Sequence, residues 1–179
     1  MTPARPRYSR INRTVVDLLA KAQVTIPPVP IEKIAKAAGA KITFNNFNNE
    51  VSGVLLRQEK SIIIGVASEQ SPARQRFTIA HELAHLVLHD GQELHVDKSF
   101  RVNLRSPISS KAEDVQEIEA NAFAAALLMP EEFIRRDTAK MTIDVENSDQ
   151  IEKLARRYEV STQAMTFRLM NLLGAPRRP

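Results

Sequence analysis

A chain of 179 residues with 43% apolar and 26% charged residues has enough apolar side chain for one domain of ordinary size, which excludes wholesale disorder and leaves a large second domain unexpected. Cysteine is absent, so disulfides and thiolate metal sites are excluded and any metal would have to be held by His and carboxylate. The net charge of +4 belongs to the ends, because Arg5, Arg7, Arg10, Arg13, Arg177 and Arg178 leave 19 basic against 21 acidic residues in the rest, and such ends read as solvated basic arms over residues 1–13 and 175–179.

The apolar positions Ile11, Val15, Leu18 and Leu19 predict an amphipathic helix over residues 9–22, broken by Pro27-Pro28. Pro30 at a first-turn position and Gly39 as a stop bracket a short helix over 31–38. Residues 41–47, 51–57 and 61–66 are β-rich and separated by polar turns, which predicts a small three-stranded antiparallel meander. Ser71 followed by Pro72 opens a helix that runs to His89, with Asp90-Gly91 as its stop. Residues 91–108 read as a long loop bordering a cleft. Ser110 and Glu113 form a capping-box pattern for a helix that continues through the apolar stretch 123–129 to Pro130. A short helix over 130–138 follows, then 149–158 capped by Ser148 and 162–173 capped by Ser161 and stopped by Gly174. The expected architecture is α+β and helix-rich, a single domain over 14–174 with the helical pair 149–173 packed on it. No run approaches about 18 apolar residues, and the Arg-rich start lacks the apolar region of a secretory signal, so a cytoplasmic protein without membrane contact is expected.

Within the 71–89 helix lies His81-Glu82-Leu83-Ala84-His85, an HExxH sequence. Residues four apart share a helix face, so two imidazoles can chelate one zinc while Glu82 sits beside them to handle a water. A catalytic zinc needs a third protein ligand and an open position. The metzincin pattern fails, because position 88 is Leu and position 91 is Gly. His89 lies about 12 Å along the axis from His81, too far to join the same metal, and reads as a helix-end residue or one bonded behind a ligand. The other source is the Ser110 helix, where Glu117 and Glu119 compete; Glu117 is one turn from Asn121, which could then hydrogen-bond a liganding His, whereas Glu119 points to a different side.

The stretch Arg76 to His85 (RFTIAHELAH), together with Glu117 to Pro130 (EIEANAFAAALLMP), closely resembles the ImmA/IrrE family of zinc metallopeptidases, and the resemblance extends over about residues 10–174, including Gly53. By that resemblance His81, His85 and Glu117 bind zinc in the manner of thermolysin-like gluzincins, and Glu82 is the catalytic base. Glu119 is then left on the helix surface, and Asn121 supports a ligand. The resemblance also implies a specific protein substrate, a helix-turn-helix repressor of a phage, mobile element or stress regulon.

The chemistry expected is metal-assisted peptide hydrolysis with one Zn2+ per chain, although a His2Glu set also accepts other divalent metals. His95, Tyr158 and Arg168 are the candidates for stabilising the oxyanion or contacting substrate. The rival reading is a non-catalytic zinc-containing regulatory or DNA-binding module using the helix-turn-helix-like pair near the C-terminus. Arg168 is the only basic residue of its second helix, and Met165, Phe167, Leu169, Met170, Leu172 and Leu173 read as packing, so direct nucleic-acid binding is not expected.

Overall fold

The computed structural model describes residues 5–47, 51–59, 61–89, 94–97, 111–139 and 148–173. Seven helices and four strands follow one another as α1 (Tyr8–Lys21), α2 (Ile31–Ala37), β1 (Ala40–Asn45), β2 (Gly53–Gln58), β3 (Ser61–Ala67), α3 (Pro72–Leu88), β4 (Leu94–Asp97), α4 (Lys111–Leu128), α5 (Glu131–Thr138), α6 (Ser148–Tyr158) and α7 (Thr162–Leu173).

The helices follow their sequence signals closely. Ile11, Val15 and Leu19 recur every four residues and form the buried stripe of α1. Gly39 takes φ 92° just beyond α2, a left-handed conformation that glycine adopts without a Cβ penalty. Ser71 accepts the Arg74 backbone N–H at the start of α3, with Pro72 behind it in the first turn. Ser161 does the same for Ala164 at the start of α7. The Ser110 cap lies outside the described residues. Residues 9–13, which the sequence places both in the expected helix and in a basic arm, form the first turns of α1 together with Tyr8.

The sheet differs from the expected antiparallel meander. It has four strands in the order β1-β3-β2-β4. β1 runs parallel to β3, with Ala40 opposite Ile62 and Asn45 opposite Ala67. β2 is antiparallel to both β3 and β4, so that Leu55 faces Ile64 on one side and His95 on the other. The reason lies in β3, whose Ile62-Ile63-Ile64-Gly65-Val66 run is an uninterrupted apolar stretch suited to a strand with neighbours on both edges. Two-residue periodicity identifies a strand but not its neighbours. The segment read as a loop over 91–108 contains β4, which at four residues is too short to show a period.

The core lies between the sheet and the helices. Leu55, Ile64 and Val66 from the sheet meet Ile79 and Leu83 of α3, while Phe123 and Leu127 of α4 join α1 to the same cluster. α3 is thus held between the sheet and α4. The pair α6 and α7 adds Leu154, Tyr158, Met165 and Leu169. Phe167 and Met170, expected to pack, face outward at 42% and 50% exposure. Among the described residues no helix is long and apolar enough to cross a membrane.

Candidate metal centre

All four histidines of the chain gather at one place. His81 and His85 stand one turn apart on α3, both buried, with their Nε2 atoms 3.2 Å from each other. Glu117 reaches across from α4, its two oxygens each 3.2 Å from one of those nitrogens. His95 arrives from β4, stacked on the His85 ring at 3.9 Å between centroids and 3.5 Å from Glu117. One ligand atom from each of these four residues lies within 4.8 Å of all the others. From the sequence His95 reads as a loop residue and a candidate for stabilising the oxyanion or contacting substrate; the pairing of β4 with β2 is what brings it here.

Hydrogen-bond direction decides what this cluster can hold. Burial pushes the His85 pKa down to about 3 and lowers that of His89 against the pull of Glu119, so both rings are neutral and carry one N–H each. The buried Glu119 carboxylate only accepts, so His89 donates from Nε2 at 2.9 Å. Its Nδ1 is then an acceptor, and the 3.1 Å contact with His85 must be a bond donated by His85 Nδ1. That leaves the Nε2 of His85 as a lone pair. Asn121 Oδ1, 3.1 Å from His81 Nδ1, fixes the other ring in the same way. Two imidazole lone pairs and two carboxylate oxygens therefore converge without a proton to separate them, an arrangement that fits a cation. Burial alone would push the Glu117 carboxyl up, but the neighbouring His81 and His85 hold it below the usual carboxylate range.

Glu82 points to the sheet side of α3 and is fully buried. Gly53 of β2 makes room for it, since a Cβ there would stand 2.9 Å from Glu82 Oε1. Arg57 of β2 donates to the carbonyls of His85 and His89 and so ties the end of α3 to the same strand.

Two sequence expectations change. Glu119, expected on the helix surface, is 0% exposed and bound by both His89 and Arg7. Arg7, expected in a solvated arm, is the cation that pairs with it. The Ala120, Phe123 and Ala124 face next to Glu119 hinted at its burial, whereas nothing local connects residues 112 positions apart.

Tyr158 and Arg168 are not in the cluster. Tyr158 is buried and donates its hydroxyl to Asp137 at 2.8 Å. Arg168 donates to the Met129 carbonyl at 3.0 Å and lines a cavity of about 720 Å3 between α1, α3, α4 and α7, to which Phe77 and Asn121 also contribute.

The model of the IrrE N-terminal-like domain, a peptidase family, matches residues 35–170. The chain belongs to this family. It is 32% identical over 114 residues to the radiation response metalloprotease IrrE of Deinococcus deserti, a match covering 64% of this chain and 38% of that protein. For the protein of the same name in Deinococcus radiodurans the identity is 31% over 114 residues, covering 64% and 32%. The matched part thus spans less than two fifths of either relative. A Mycobacterium tuberculosis transcriptional regulator shares the fold at a TM-score of 0.62 and 18% identity, over 94% of this chain and 48% of that one.

Proposed function

We propose that this IrrE-like chain is a zinc-dependent endopeptidase in which His81, His85 and Glu117 hold the metal and Glu82 is the general base. The observation that carries the reading is the convergence of two imidazole lone pairs and the Glu117 carboxylate beside a buried Glu82. Zinc, when bound there, would polarise the scissile carbonyl and acidify a water. Glu82 would accept a proton from a water in the site and deliver it to the leaving amine. Asn121 and His89 keep the two histidines in the tautomers that ligation requires. Of the three candidates for contacting the developing oxyanion, His95 is favoured, because it faces the same space from β4 while Tyr158 and Arg168 are engaged elsewhere.

The substrate is a protein. The exposed Leu94 and Val96 flank His95 on a strand paired with β2, and an extended peptide laid along β4 would present its main chain beside the cluster. A helix-turn-helix repressor is the target that the family resemblance favours, and the protein is read as cytoplasmic. The test is incubation of the zinc-loaded chain with repressors encoded beside its gene. A single defined cut that disappears in Glu82→Gln supports the reading. A cut that persists in Glu82→Gln removes it.

A further inference from the structure

We propose that Arg7, on the segment entering α1, is a positioning residue of the metal centre that acts through Glu119 and His89 on His85. The inference rests on the zinc reading above but concerns a residue outside the 35–170 region that defines the family. Arg7 donates to Glu119 three times, from its backbone N at 2.6 Å, Nε at 2.9 Å and Nη2 at 2.7 Å. The same Nη2 reaches the Leu88 carbonyl at the end of α3, 3.3 Å away.

A fully buried carboxylate is costly unless it is paired and hydrogen-bonded, and a guanidinium fork also fixes its plane. With that plane fixed, Oε2 of Glu119 faces His89 Nε2. From there each group can act in one direction only. Arg7 donates, Glu119 accepts, His89 donates from Nε2 and accepts at Nδ1, and His85 donates from Nδ1. The last consequence is a lone pair on His85 Nε2 aimed at Glu117. Without the Arg7 guanidinium the carboxylate keeps the backbone N–H bond but loses the two side-chain bonds that fix its plane, and the imidazole chain loses the anchor that sets its direction. Arg7 is in this way part of the metal centre rather than of a solubilising tail.

The experiment uses the full chain. Zinc affinity is measured at one fixed pH by competition with a chromophoric chelator, and the cobalt(II) absorption spectrum reports the ligand field. Arg7→Gln is expected to weaken zinc about 10-fold and to change the cobalt bands, with Arg7→Lys recovering part of the loss. In a His89→Phe background, Arg7→Gln is expected to cause no further loss, because the path to His85 is already cut. Should Arg7→Gln fail to fold, the pair Arg7→Met with Glu119→Gln removes both charges and is expected to show the same weakening. Wild-type affinity in a folded Arg7 variant, or an equal loss with and without His89, overturns the proposal. A wild-type chain that binds no zinc overturns the metallopeptidase reading itself, and this inference with it.

Discussion

Gly53 of β2 faces Glu82 of α3 with no room for a side chain between them. A Cβ at position 53 would lie 2.9 Å from Glu82 Oε1 and 2.5 Å from Thr78 Cγ2, so a larger residue there requires these α3 side chains to shift. The threonine methyl cannot easily turn aside, because a β-branched side chain in a helix has few rotamers. Gly53→Ala is therefore expected to destabilise the fold by about 1–3 kcal/mol and to depress cleavage while leaving zinc in place. Thermal unfolding and metal content check this, and adding Thr78→Ala should recover stability by opening space for the new methyl. Unchanged activity in Gly53→Ala would show that Glu82 does not depend on this contact.

Glu82→Gln keeps the size of the side chain and removes its basicity. It is expected to retain the metal and to lose at least about 100-fold in turnover, the lower range for a general base. The two readouts are elemental analysis and the rate of appearance of the cut product.

His95 separates two roles. If it meets the substrate oxygen, His95→Ala keeps zinc at wild-type affinity and lowers kcat by about 100-fold or more. If it is a fourth ligand, the same variant loses zinc affinity. Chelator competition beside single-turnover kinetics distinguishes them.

Much of this site was legible in the sequence because its first part is local. His81, Glu82 and His85 lie within five residues on a helix with a recognisable start, and Glu117 and Asn121 share a face by simple periodicity. The remainder depends on contacts between distant segments. His95 joins through the pairing of β4 with β2, which no four-residue strand announces. Glu119 looked like a surface residue because its partners, Arg7 and His89, are 112 and 30 positions away. The first three strands are legible in the sequence but their order is not, since β1 lies beside β3 in parallel although β2 comes between them in the chain.

Asp137 gives a pH prediction remote from the candidate metal centre. It accepts from Arg157 Nε and the Tyr158 hydroxyl, both at 2.8 Å, and although burial pushes its carboxyl up, those bonds bring it below the usual value. A carboxylate depressed in the folded state binds protons first in the unfolded state, so its contribution is present above the unfolded pKa and fades as pH falls through the folded one. Stability is expected to decline below about pH 4 with a slope that is shallower in Asp137→Asn. Chemical denaturation at a series of acidic pH values tests it, and identical slopes would remove Asp137 from the account.

The central claim is that His81, His85 and Glu117 form one metal site. Metal content by elemental analysis, after dialysis against zinc and removal of excess, tests it most directly when wild type is compared with Glu117→Ala and Glu82→Gln. The account predicts about one zinc per chain in wild type and Glu82→Gln and a large loss in Glu117→Ala. Wild type without zinc, or Glu117→Ala with as much as wild type, would contradict it.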